Sequence, residues 1–203
     1  MSLVPHEIKT MESSIREAKG EVLTYGLGMG YFAYRCCQKE EVSRVSVVES
    51  DPAILSFFEK YLSSSFPKGK LRILKGDALS FSLGGGDPYD FLFVDIYHDA
   101  EDGLPLYLAL RKKEGVAKKT SYWIEEDLLV YLRRYLVAYL EEQSDPAFLK
   151  LGDAAYQRGS DFPSLLFKGI HECLKGKKAK GKEELVNLLS DDSLRMLSKE
   201  IIF

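Results

Sequence analysis

The sequence predicts a doubly wound α/β fold, a mostly parallel sheet flanked by helices and followed by a helical C-terminal extension. Three observations predict it: short apolar runs alternate with amphipathic stretches, a glycine-rich turn separates the first run from the first long helix of the core, and acidic residues or glycines close successive runs. Strands that alternate with helices imply right-handed crossovers, and so parallel neighbours. At 203 residues the chain can bury such a core without disulfides or metals. A composition of 45% hydrophobic and 29% charged residues is that of an ordinary globular protein.

Residues 7–19 carry Ile8, Met11 and Ile15 at helical spacing, which predicts a leading amphipathic helix ended at Lys19-Gly20. Val22 to Tyr25 is apolar and stops at Gly26, and residues 31–38 suit a helix. The stretch 42–48 becomes continuously apolar, as a strand buried on both faces does. Asp51 then stands as N-cap before Pro52, and Ile54, Leu55, Phe58 and Leu62 line one helical face. Further strands are expected at 71–74, 89–96 and 121–124, with a helix at 103–113 and a glycine-rich surface turn at 84–88. A long helix is expected over 128–140, with Glu125, Glu126 and Asp127 at its positive end. In this reading residues 1–19 are an N-terminal helix, with 1–3 in the form of a short expression leader. Residues 20–125 are the core, and 126–203 a helical extension packed on it, with 164–170 its one strand candidate.

A net charge of −3 supplies no global pull toward nucleic acid or an anionic membrane and directs attention to small-molecule partners. Lys175, Lys177, Lys178, Lys180 and Lys182 stand among glycines without interleaved aromatics, which fits a solvated linker better than an RNA contact. Cys36, Cys37 and Cys173 have no zinc spacing and fit reduced, buried thiols of a cytoplasmic protein. The first residues lack the apolar core of a secretion signal, and the run 128–140 is interrupted by Arg133 and Arg134 and is too short for a membrane span.

The chemistry-bearing positions fall at the ends of the predicted strands. Gly26-Leu27-Gly28-Met29-Gly30 lies between strand and helix, where glycine lets the backbone turn sharply and approach a ligand. A dinucleotide fingerprint would place its third glycine at 31, which is Tyr31. Glu49 ends the second strand where a carboxylate can accept both hydroxyls of a ribose, or simply be solvated. Asp77, in Gly76-Asp77-Ala78, can take an adenine amino group beside the small Ala78, or open a turn. Asp95 closes the fourth strand and begins the polar run Asp95-Ile96-Tyr97-His98-Asp99. Here Asp95 or His98 can serve as a general base, the two can hold a metal that lacks a matched third ligand, or the loop can cap the next helix. Tyr97 and Trp123 read as core aromatics in preference to an acceptor wall. His6 and His171 stand on predicted surface segments without a role.

These four motifs in order, within residues 20–125, resemble a class I S-adenosylmethionine-dependent methyltransferase domain, in the branch that is similar to spermidine synthases. The resemblance implies a Rossmann-like sheet, S-adenosylmethionine as cofactor, Tyr25, Gly26, Gly28 and Gly30 around its methionine part, Glu49 on ribose and Asp77 with Ala78 on adenine. That family often has an acid two residues before the first glycine to meet the ligand's ammonium. This chain has Thr24 there, which leaves Asp95 as the substitute. The family's sixth and seventh strands have no counterpart in a tail that reads as helix. Three functions follow: methyl transfer to an unidentified acceptor, aminopropyl transfer from decarboxylated S-adenosylmethionine, and ligand binding without catalysis.

Overall fold

The structure, a computed structural model, describes residues 4–113, 115–144, 161–175 and 181–202. The leader at 1–3 and the lysines at 177, 178 and 180 lie outside the described residues. The chain divides into two compact units, residues 1–97 with 113–124 and residues 98–112 with 125–203.

The first unit holds a five-stranded sheet built from β1 (Gly20–Tyr25), β2 (Val42–Glu49), β3 (Leu71–Lys75), β4 (Tyr89–Val94) and β5 (Ala117–Tyr122). All neighbours are parallel in the order β3-β2-β1-β4-β5, so the sheet is Rossmann-like and reverses its winding at β1. Helices α1 (Pro5–Glu17), α2 (Tyr31–Cys37) and α3 (Pro52–Tyr61) accompany it. Met11 and Ile15 of α1, Phe32 and Cys36 of α2 and Phe58 of α3 pack with Val22, Val45, Val47, Phe91 and Phe93 of the strands. Leu23, Tyr25, Val48, Leu92 and Val94, alternate to that set, are also buried. Burial on both faces is why β1, β2 and β4 are nearly unbroken apolar runs.

The helix ends are chemically specified. Asp51 caps α3 by accepting from the Ala53 N–H at 2.7 Å, with Pro52 following it in the first turn. Lys39 closes α1 by donating to the carbonyls of Ile15, Arg16 and Ala18 at 2.8, 2.9 and 2.6 Å. Helix α1 also runs antiparallel to β5, with Glu17 paired to Lys119, Ser14 to Ser121 and Thr10 to Trp123.

The second unit contains α4 (Ala100–Arg111), α5 (Glu125–Ser144), α6 (Phe162–Leu174), α7 (Lys182–Leu188) and α8 (Asp191–Glu200). Glu125 accepts from the buried Tyr107 hydroxyl at 3.0 Å and from Arg195 at 3.1 Å, which joins α4, α5 and α8. Arg111 adds a bond to the buried Ser198 at 3.1 Å.

Several expected boundaries move. Residues 164–170 are helical, inside α6, because Asp161 caps the segment from Ser164 and the buried Leu166, Gly169, Ile170 and Leu174 recur at helical spacing. Strand β5 begins at Ala117 rather than 121 and ends at Tyr122, its exposed lysines having hidden the first half. Strand β4 stops at Val94, two residues early. Helix α4 starts at Ala100 instead of 103, because Asp99 and Asp102 form a capping box. His171 is half-buried and bonded to the Tyr139 hydroxyl at 3.0 Å rather than lying loose on the surface. Among the described residues no helix is long and apolar enough to cross a membrane.

Candidate functional site

Four backbone hydrogen bonds extend the sheet past its last paired residues and stitch the strand ends into one rim. The Gly26 N–H donates to Val48 O at 2.9 Å, Gly76 to Glu49 O at 3.0 Å, Asp95 to Tyr25 O at 2.9 Å and Trp123 to Val94 O at 2.9 Å. Positions up to 97 residues apart in sequence, Gly26 to Trp123, thereby lie along one rim at the carboxyl ends of the strands. That is where open α/β sheets bind ligands, at the strand where the winding reverses.

Gly26 makes the junction possible. Its φ is 89°, and a Cβ there would fall 2.0 Å from the Asp95 carbonyl oxygen, so no larger residue fits between the ends of β1 and β4. Gly28 follows at a φ of 53° and Gly30 at 76°, the latter serving as N-cap of α2 with its ring neighbours Phe66 and Phe58.

Glu49 is 7% exposed, and both its oxygens hold backbone: Oε2 accepts from the Leu27 N–H at 2.9 Å and Oε1 from the Asp51 N–H at 2.7 Å. One carboxylate thus binds the middle of the glycine turn to the start of α3. An ionised carboxylate has roughly four acceptor sites, so two backbone bonds leave capacity for two ligand hydroxyls. Asp77 opens a turn after β3, with Oδ1 accepting from Leu79 N–H at 3.1 Å, and Ala78 beside it is buried. Turn and adenine-facing roles are compatible at that position, because the bond to Leu79 engages one of the carboxylate's two oxygens.

Thr24 is 2% exposed and its hydroxyl donates to the Gly26 carbonyl at 3.4 Å, so its side chain is turned into the loop. Asp95 is half-buried with its backbone against Gly26. The Tyr25 ring is buried, edge-on to Phe81 at 5.8 Å. Burial, with smaller contributions from Tyr122 and Tyr89, pushes its hydroxyl well above the usual tyrosine range. Tyr25 therefore meets the rim through its backbone. Tyr97 is core, as expected: it is 5% exposed and donates to the Trp123 carbonyl at 2.5 Å. Trp123 is half-buried, and its indole N–H donates to Thr10 Oγ1 at 2.8 Å, a contribution of α1 that no motif announced.

In the second unit, His98 is 88% exposed in its side chain, with Nδ1 3.0 Å from Asp102 Oδ2. Asp102 had no sequence-based role; it stands in the first turn of α4, and His98 lies just before the N-cap Asp99. Among the described residues no group of three or more His, Cys, Asp or Glu side chains is placed to hold a metal ion.

No family model matches the chain, and no curated protein matches it in sequence. Solved structures of similar shape include spermidine synthase from Thermotoga maritima, at 16% identity over 53% of this chain and 38% of that one, with a TM-score of 0.41. A dimethyladenosine transferase from Plasmodium falciparum is similar at 17% identity over 66% of this chain and 45% of its own, with a TM-score of 0.43. The chain spans less than half the length of either. Likeness of this degree assigns neither an activity nor a ligand.

Proposed function

We propose that the rim binds S-adenosylmethionine and that the protein is a methyltransferase acting on a small-molecule acceptor. The observation that carries the reading is the stitched rim, which brings Gly26, Glu49, Gly76-Asp77 and Asp95 together at the point where the sheet reverses its winding. The residues fit the ligand's parts. The glycine turn leaves backbone room for the methionine portion, Glu49 has acceptor capacity for the ribose hydroxyls, Asp77 with Ala78 suits adenine, and Asp95 supplies an anion for the ammonium. When bound, the ligand supplies a methyl group already activated on a sulfonium. The chain's own work is then to align the acceptor and accept its proton.

Thermal unfolding with added ligand tests the reading. S-adenosylmethionine and its demethylated product should each stabilise the protein, by about 2.7 kcal/mol at a concentration roughly 100 times Kd. Stabilisation by decarboxylated S-adenosylmethionine alone would move the function to aminopropyl transfer. No stabilisation by any of the three would remove the ligand altogether, and binding without turnover across an acceptor panel would leave a binding protein.

A further inference from the structure

We propose that the outer face of α3, together with Tyr34 of α2, is a docking surface for single-stranded nucleic acid, whose bases stack on the exposed rings and whose phosphates meet the lysines around them. The surface lies wholly within the first unit, and the proposal goes beyond the ligand rim without depending on it.

Three observations carry it, and the first is where the exposed rings fall. Single exposed apolar side chains are ordinary on a protein surface. Among the described residues, however, the aromatic rings that stand exposed are Tyr34, Phe57 and Tyr61, at 38%, 42% and 57%, and all belong to α2 and α3. Packing links them. Phe66 lies edge-on to Tyr34 at 5.4 Å and to the buried Phe58 at 5.1 Å, which joins the two helices. Phe57 and Tyr61, one turn apart on α3, have their ring centres 5.0 Å from each other. Rings held by other rings lose little freedom when a base stacks on them.

The second observation is charge. The whole chain has a net charge of −3, yet residues 52–75 hold five cations against one acid, Glu59. Lys70 is engaged by the Cys37 and Lys39 carbonyls at 3.2 and 2.6 Å, and Arg72, alternating with the core-packed Leu71 and Ile73, belongs to the opposite face of the sheet. Lys60, Lys68 and Lys75 remain, all exposed, and none of them pairs with a carboxylate among the described residues. The Lys60 Nζ stands 4.8 Å from the centre of the Tyr61 ring, so a cation adjoins the stacking surface. The negative end of the helix dipole accounts for a cation at Lys60, in the last turn of α3, but makes no demand at 68 or 75.

The third observation is what α3 leaves out. A helix that lies in a membrane interface inserts a broad apolar face. On α3 the aliphatic Ile54 and Leu55 are half-buried against the core, and the exposed positions besides the two rings are Pro52, Ala53, Ser56, Glu59 and Lys60. Stacking needs only the faces of the rings and leaves the neighbouring cations to the phosphates, which is the chemistry of sequence-tolerant single-strand binding. A duplex, its bases stacked on one another, offers such a surface only its phosphates.

The test is fluorescence anisotropy of the full chain with a short end-labelled oligoadenylate, read over a series of salt concentrations. We expect binding at low salt that weakens as salt rises. Tyr61→Ala and Phe57→Ala should each weaken it by roughly 5- to 150-fold, the loss of one stacked base, with the salt dependence unchanged, and Tyr61→Phe, which keeps the ring, should bind like the unmodified protein. Lys60→Ala combined with Lys68→Ala should instead lower the slope of log affinity against log salt by about 1.4, about 0.7 for each phosphate contact removed. Circular dichroism of each variant, expected to match the original because all four side chains are exposed, separates a lost contact from a lost fold. No binding at low salt overturns the proposal. Binding that survives both ring variants, or that a duplex of the same length matches, overturns it too, since charge alone would then suffice. Binding to vesicles of phosphatidylserine and phosphatidylcholine that Tyr61→Ala abolishes, without binding to the oligonucleotide, would give the face to a membrane and overturn it as well.

Discussion

Glu49 ties the glycine turn to the start of α3, and the proposed function adds a ligand contact to that role. Its two oxygens face two backbone N–H donors in a nearly closed environment. Glutamine in its place would offer one acceptor oxygen and one NH2 group, so one of the two donors would face another donor. We expect Glu49→Gln to lower stability by about 1–3 kcal/mol, the cost of an unsatisfied buried donor, and to weaken S-adenosylmethionine binding by a similar amount. Unfolding and calorimetry on the same sample check both, and a variant equal to the original in both would show that Glu49 neither organises the turn nor meets the ligand. Asp95 presents the opposite case, since charge rather than shape should matter there. Asp95→Asn is isosteric, and we expect a loss of about 1.5–3 kcal/mol in affinity if its carboxylate faces the ammonium that the buried Thr24 cannot meet. Equal affinity in calorimetry would refute that compensation. For the glycine turn the informative change is Gly28→Ala: at a φ of 53° an alanine costs about 1–2 kcal/mol of backbone strain but still folds, whereas Gly26→Ala collides with Asp95. Loss of binding with a modest drop in melting temperature is expected for Gly28→Ala.

Helices and strands were legible in proportion to how their surroundings constrain the side chains. Strands β2 and β4 are covered on both faces and read as apolar runs, and α3 announced itself through Asp51 and Pro52. Strand β5 lies at the sheet's edge, where Lys118, Lys119 and Thr120 are exposed, so half of it carries no apolar signal. Those lysines also discourage another strand from pairing there. The segment 164–170 misled because Leu165, Leu166, Phe167 and Ile170 cluster around a glycine. Gly169 sits in a helix because Ile201 packs where its side chain would be, 2.7 Å from a built Cβ. Helix α2 offers a measurable consequence of its buried face. Burial, outweighing nearby cations, pushes the Cys36 thiol up to about 12 and that of Cys37 up to about 11 from an ordinary 9.0. Below about pH 9 both thiols are protonated in the folded and unfolded chain, and their contribution is fully present. From pH 9 up to about 11 for Cys37 and about 12 for Cys36 the unfolded chain releases protons that the folded chain keeps, so stability falls as pH rises, by up to about 1.4 kcal/mol per pH unit for each thiol within its window. The double variant Cys36→Ala, Cys37→Ala should flatten that alkaline limb in denaturant titrations; an unchanged slope would mean the thiols are not the groups responsible.

The candidate site becomes visible only when the whole sheet is assembled. Glycine and acids at the ends of apolar runs could be named from the chain itself, and the rim brings those of the first unit together. What no local pattern carried were the bonds that depend on topology: the Leu27 N–H on Glu49, the Thr10 hydroxyl on the Trp123 indole, and the stitching of each strand end to its neighbour. A ligand on that rim should therefore protect a set of amides that are scattered in sequence and contiguous in space. Hydrogen exchange reads this directly, because an amide that exchanges only when the site opens slows by the factor 1 + [L]/Kd, about 100-fold at a ligand concentration roughly 100 times Kd. With S-adenosylmethionine we expect that slowing at Gly26, Leu27, Gly76, Asp95 and Trp123, whose N–H groups are all bonded at the rim. The amides of Glu21 and Tyr89, bonded to Asp90 and Val116 at the opposite ends of the strands, should respond only as far as global stability rises. In Gly28→Ala the selective protection should disappear, while exchange at the opposite end changes only as far as the variant's lower global stability requires. Slowing distributed evenly over both ends would mean that the ligand binds elsewhere and stabilises the fold as a whole, and protection confined to the glycine turn would detach Asp77 and Asp95 from the site.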